Sequence, residues 1–301
     1  MNQPNGQVLS TCILPYQTWE GGARASWQRA EELGFAAAYT YDHLSWRSFR
    51  DGPWFGAWPT LTAAAGATER IRLGTLVTNP NFRHPVTLAK DLISLDDISG
   101  GRVTLGIGAG TIGFDATVLG HEPWSPRERA DRFAEFVNLL DRLLTEPDVT
   151  SSGQFYSANE ARNIPGCVQQ PRIPFAIAAF GPRGLALTAR HGQAWVSTGD
   201  PSLFETGTPA ESDAAIAGQI ARLEDACGAI GRDPASIRKV LLTGFTPEAN
   251  AFLESTERFA DYAGRHLALG FDEIVLHWPI PDSEFDAPMA TFEEIATGGL
   301  G

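Results

Sequence analysis

Residues 71–110, IRLGTLVTNPNFRHPVTLAKDLISLDDISGGRVTLGIGAG, contain one complete strand–helix–strand unit. IRLGTLV (71–77) is a short aliphatic run of strand length. Pro85 suits the first turn of a helix, and Gly100-Gly101 end that helix before a second apolar run, RVTLGI (102–107), begins. The same alternation extends in both directions along the chain. Further strand-like runs lie at 8–14, 35–41, 173–178, 194–197, 237–243 and 272–277. A helix signal follows each, including Pro59 and the long amphipathic stretches 209–230 and 248–268.

Eight consecutive βα units are the number that closes a parallel barrel, whereas open doubly wound sheets usually stop nearer six strands. The predicted fold is therefore α/β, a (β/α)8 TIM barrel forming one domain over residues 1–301. The interval 108–172 is too long for a plain βα unit and predicts an insertion after strand four. It holds a glycine-rich turn, a helix over about Ser125–Thr145, and a hairpin in DVTSSGQFYSANEARNIP (148–165).

Composition excludes several partners. With 301 residues, 43% hydrophobic and 20% charged, the chain can bury a large core. Its 23 basic and 36 acidic residues give net charge −13, which argues against nucleic acid or anionic membrane as partner. Cys12, Cys167 and Cys227 are isolated and suit a reducing compartment. MNQPNGQV has no signal-peptide character and no run could span a bilayer, so a cytoplasmic location and a small-molecule substrate are expected. No metal-ligand spacing, GxSxG elbow or Walker loop occurs, and no metal site is expected.

Active sites on barrels gather at the carboxyl ends of the strands, which turns sequence position into location. Four ends carry chemistry: Asp42-His43, TLVTNPNFRHP, GIGAGTIG and AAFGPRG. Gly108–Gly113 matches GxGxxG, but Gly120, Pro123 and Pro126 interrupt the helix that a dinucleotide site needs. What survives is a backbone that a ring or a polar chain can approach closely. Pro182 opens a helix beside Arg183, an arrangement suited to an anion. His277 and Trp278 end the last strand and are expected to shape the pocket; His84, next to Pro85, begins a helix, and His121, His191 and His266 read as surface or cap residues.

Three segments together, YDHL (41–44), the stretch 71–110 and AAFGPRGLALTARHGQAWV (178–196), resemble the bacterial luciferase-like (LLM class) family of flavin-dependent oxidoreductases, over about residues 8–278. Asp-His after strand two, NPNFRHP and GIGAG resemble the branch that uses the deazaflavin coenzyme F-420 rather than FMN. The resemblance implies a ring lying across the barrel mouth, with Asp42 near its polar edge and His43 near the reacting carbon. It implies that Trp46, or Arg47 if shifted by one, walls the substrate space. It places a cis peptide at Leu76-Val77 behind the ring and makes Asn79 a hydrogen-bond partner. Gly108, Ala109 and Gly110 would admit the cofactor chain, Phe180, Gly181, Pro182 and Arg183 would receive its phosphate, and Arg83 would either meet the anionic tail or cap a helix. Sugar-phosphate-oxidising relatives carry a glutamate where this chain has Thr111, so a His–Glu acid/base pair and that substrate are not expected, and His43 is left as the proton donor. An imidazole suits transfer in either direction near neutral pH. The implied activity is hydride transfer between F-420 and a small organic substrate (C=C, C=N, C=O or alcohol) by a homodimer. The alternatives are an FMN-dependent monooxygenase and a barrel that only binds a flavin-like ligand.

Overall fold

The computed structural model describes residues 7–300; most of the amino-terminal stretch read for a targeting signal lies outside the described residues. The barrel strands are β1 (Val8–Cys12), β2 (Ala37–Thr40), β3 (Arg72–Thr75), β4 (Val103–Gly108), β7 (Phe175–Ala178), β8 (Ala194–Ser197), β9 (Arg238–Leu242) and β10 (Glu273–His277). Strands β5 (Asp148–Ser152) and β6 (Ser157–Arg162) form a separate antiparallel hairpin. All barrel neighbours pair in parallel, and β1 closes the ring by pairing with both β2 and β10. The eight strand runs read from the sequence are the eight staves.

The period of two along each strand sorts side chains between two cores. Outward residues such as Leu73, Ile107, Phe175, Trp195 and Leu276 pack against the helices. Inward residues, Cys12, Tyr39, Tyr41, Ala176, Val196 and Val275 among them, fill the lumen. The amino-terminal half of the lumen is sealed by a buried polar group: Tyr39 donates to Glu273 at 3.0 Å, and Arg238 pairs with the same carboxylate at 3.0 Å. The open end is therefore the carboxyl end of the strands.

Helices α1 (Arg24–Glu32), α2 (Ala57–Ala67), α3 (Pro85–Ser99), α4 (Pro126–Thr145), α5 (Pro182–His191), α6 (Pro209–Gly228), α7 (Thr256–Ala268) and α8 (Met289–Gly298) form the outer ring. Their ends follow local chemistry. Ser125 with Glu128 and Thr208 with Glu211 make capping boxes, and Gly100 ends α3 at φ 64°. The predicted insertion is smaller than the interval 108–172, because α4 packs between α3 and α5 as the regular fourth helix. What is added is the loop 109–125 and the hairpin with its exit loop. The Glu135 carboxylate pins the hairpin tip by accepting from the backbone N–H groups of Gln154, Phe155 and Tyr156. All three cysteines are free and buried, and no helix of the described residues is long and apolar enough to cross a membrane.

Candidate active site

His43 leaves the end of β2 and stands at the barrel mouth with its side chain 16% exposed. Its Nδ1 is hydrogen-bonded to Asp115, whose side chain is 6% exposed and sits in the short turn Phe114–Ala116 after β4. The other Asp115 oxygen accepts the Leu44 backbone N–H at 2.8 Å. One carboxylate thus fixes both the ring and the chain that carries it, and leaves Nε2 as the nitrogen available for proton exchange. Trp46 packs 4.8 Å from the His43 ring and 5.0 Å from Tyr41, ring centroid to centroid. Trp54 donates to the His43 carbonyl at 2.8 Å.

Beneath them lies a buried floor. Tyr41 Oη lies 2.7 Å from His277 Nε2, and His277 stacks on Phe285 at 4.1 Å. Burial pushes the Tyr41 phenol well up, so it keeps its proton and is the donor. Burial pulls the His277 imidazole down to about 3, opposed only in part by the Thr243 backbone. Burial also pushes the neighbouring Cys12 thiol up, which leaves it unreactive.

The loops after β3 and β4 form one surface. The Leu76–Val77 peptide is cis, as the family resemblance implies. A Cβ at Gly108 would lie 3.0 Å from Val77 Cγ2, and one at Gly110, where φ is 77°, would lie 2.8 Å from Asn81 Oδ1. Asn79 is buried; its Oδ1 accepts the Asn81 N–H at 3.0 Å, and Asn81 Nδ2 donates to the Thr111 carbonyl at 3.1 Å. At the start of α5, Gly181 is the N-cap with no side-chain cap, and a Cβ there would meet nothing within 4 Å. Free backbone N–H groups bordering open space suit a phosphate, and the small residues of the β4 turn leave the backbone approachable beside it. The site fits a flavin-like group with a phosphate-bearing chain.

The luciferase-like monooxygenase family matches residues 21–251. The chain belongs to this family. A relative from Beutenbergia cavernae, named F420-dependent glucose-6-phosphate dehydrogenase, is 38% identical over 192 residues, which is 62% of this chain and 56% of that protein. A 4-hydroxyprotoasukamycin monooxygenase from Streptomyces nodosus subsp. asukaensis is 32% identical over 187 residues, 61% of this chain and 48% of that protein. The chain spans about half the length of the curated relatives it matches. In three dimensions it superposes on an F420-dependent secondary alcohol dehydrogenase in complex with an F420-acetone adduct, with a TM-score of 0.76 at 19% identity over 97% of this chain and 99% of the other. That likeness establishes the fold.

Several residues read from the sequence take other parts in this family member. Both Asp42 oxygens are committed, to Arg83 at 2.5 and 3.0 Å and to Thr78 at 2.9 Å. The Asp42 carboxylate ties the strand-two and strand-three loops together rather than standing free at a ring edge. Arg83 is correspondingly neither open to an anionic tail nor a cap; His84 caps α3 by accepting the Val86 N–H at 3.2 Å. Arg183 is paired with Asp131 of α4, so a phosphate at Phe180, Gly181 and Pro182 would rest mainly on the backbone N–H groups of Gly181, Arg183 and Gly184, Pro182 having none. Trp278 points away from the pocket onto Phe292, because the period of two that turns His277 inward turns its neighbour outward. His266 is fully buried, bonded through Nδ1 to the Tyr262 carbonyl, and not a surface residue. The carboxylate on His43 is that of Asp115, not that of the adjacent Asp42. Asp115, Phe245 and Phe285 were not singled out, and Asn81 lay unnamed within NPNFRHP; Phe245 follows the end of β9, a positional signal like that of Asn81.

Proposed function

We propose that the chain is an oxidoreductase that binds coenzyme F-420 at the barrel mouth and exchanges a hydride with a small organic substrate bearing a C=C, C=N, C=O or alcohol group. The observation that carries this reading is His43, held by buried Asp115 beside Trp46 at the end where barrel enzymes react. When bound, the deazaflavin supplies two-electron hydride chemistry with little reactivity toward oxygen. The chain's own residues do the rest. His43 Nε2 delivers a proton to the reduced substrate, or removes one from an alcohol being oxidised, and Asp115 holds the ring in orientation through Nδ1. Trp46 and Tyr41 keep water from that nitrogen. Gly108, Ala109 and Gly110 admit the cofactor chain, the Leu76–Val77 segment backs the ring, Asn79 holds the adjoining loop, and the start of α5 receives the phosphate. The names of the relatives from Beutenbergia cavernae and from Mycobacterium tuberculosis support F-420 as the cofactor. Thr111 is exposed and carries no carboxylate, so sugar phosphates are not the proposed substrates.

A second reading, an FMN-dependent monooxygenase, is favoured by the name of the Streptomyces relative. Fluorescence titration with oxidised F-420 and FMN, followed by oxygen uptake with each reduced form, separates the two. Tighter F-420 binding without oxygen consumption is expected; tight FMN binding, rapid oxygen uptake and no F-420 affinity would replace the first reading by the second. Binding of either cofactor without turnover of any such substrate class would leave a binding protein. A homodimer in solution is part of the proposal, and a monomeric mass at micromolar concentration would remove it.

A further inference from the structure

Arg47 stands immediately after Trp46 and differs from Arg83 and Arg183. Arg83 and Arg183 each hold a carboxylate. Arg47 has no ion pair and no hydrogen-bond acceptor among the described residues; its guanidinium lies over the Trp46 ring at 4.7 Å and the Phe245 ring at 5.6 Å. Its backbone is at φ 29°, a region that a residue with a side chain enters only when its surroundings hold it there. The nearby Glu284 is bonded to Ser48 instead. Three residues later in the same loop, Arg50 is likewise laid over Phe114 at 4.0 Å without an ion pair. Stacking uses the guanidinium face and leaves its edge donors free, the arrangement that takes a planar anion through two parallel N–H bonds.

We infer that Arg47 binds the carboxylate of a monoanionic substrate whose apolar body packs against the half-buried Trp46 and Phe245 rings, with Phe285 buried behind them. This rests on the proposed function and names the substrate class for that same site. The surrounding charge decides the class. A chain of net charge −13 repels anions at long range, so a site for one needs a cation at close quarters. A single guanidinium fork matches a carboxylate, while Glu284 and Asp115 nearby disfavour a dianion such as a phosphate monoester. Phe245, Phe285 and His277 are mutually packed and carry no charge to meet the rest of the ligand, His277 being held neutral by burial.

The test uses phenylacetate and its neutral isostere phenylacetamide, titrated into F-420-loaded protein and read by deazaflavin and tryptophan fluorescence. Phenylacetate is expected to bind on the order of tenfold more tightly than the amide, as a charge-assisted pair allows. Arg47→Gln should bring that ratio to about one, with amide affinity unchanged, and Arg47→Lys should fall between. Equal binding of the two probes, or a ratio that survives Arg47→Gln, overturns the inference. F-420 and its tail-less deazaflavin core are titrated in parallel. If Arg47→Gln weakens F-420 but not the core, the anion is the cofactor's own and the substrate assignment is wrong. Failure of the proposed function is read separately, as absence of deazaflavin binding; the probe pair titrated into the protein alone, followed by tryptophan fluorescence, then still reports on Arg47.

Discussion

His277 links the floor of the site to the stability of the barrel, and His277→Gln measures that link. In the folded chain burial pulls the imidazole down to about 3, against an ordinary 6.5. Between those values the unfolded chain binds a proton that the folded chain refuses, so stability is fully present above about pH 6.5 and is lost as pH falls toward 3. At pH 5 the difference of 1.5 between 6.5 and the ambient pH corresponds to about 2 kcal/mol, and at pH 7 almost nothing is lost. Glutamine can keep a hydrogen bond to Tyr41 but not the stacking on Phe285, so the variant should be less stable at pH 7 by about 1–2 kcal/mol. It has no proton to refuse. The gap between native protein and variant should therefore shift by about 2 kcal/mol from pH 7 to pH 5, closing or reversing. Equilibrium urea unfolding of both proteins at the two pH values gives this difference directly, with contributions from other groups cancelling. A gap that stays constant to within about 0.5 kcal/mol would refute the reasoning, since it would mean that the imidazole is not held neutral by burial.

Three further outcomes follow from the site. His43→Ala should lower kcat by about 10²–10⁴ while leaving F-420 affinity within a few fold, because its part is proton transfer; unchanged turnover at saturating cofactor removes it from the chemistry. Asp115→Asn should lower kcat by about 10² or more and alter the pH–rate profile, because the amide N–H would face His43 Nδ1 and favour the tautomer whose Nε2 cannot accept a proton. Nitrogen NMR of the His43 ring checks the tautomer independently, and an unaltered tautomer contradicts the assignment. Gly110→Ala should cost about 1 kcal/mol or more and weaken binding of F-420, since φ is 77° and the new Cβ would lie 2.8 Å from Asn81 Oδ1; a thermal melt and a cofactor titration matching those of the native protein would count against the turn's role.

The eight staves, the hairpin and most helix ends could be read along the chain because each is a short-range event: aliphatic runs of strand length, a capping box at Ser125, a glycine at the end of α3. The strand-end rule then put Asp42, His43, the glycine turn and the α5 start on one face, and the motifs between 71 and 110 carried the family and the cis bond at Leu76–Val77. What these side chains do there followed other lines. Asp42 meets Arg83 across 41 residues, His43 meets Asp115 across 72, and Tyr41 meets His277 across 236. Asp115 lies in FDA, a turn with no motif, and His266 sits in a last helical turn that looks like a cap until α7 packs on Phe271. The sequence alone determined the number and order of βα units, since their periodicity is local. Only the closed barrel decided that Asp115 holds the His43 imidazole, that Arg47 at the mouth has no acceptor among the described residues and that His277 is kept neutral, because those depend on strand stagger and on loops brought together when β1 meets β10.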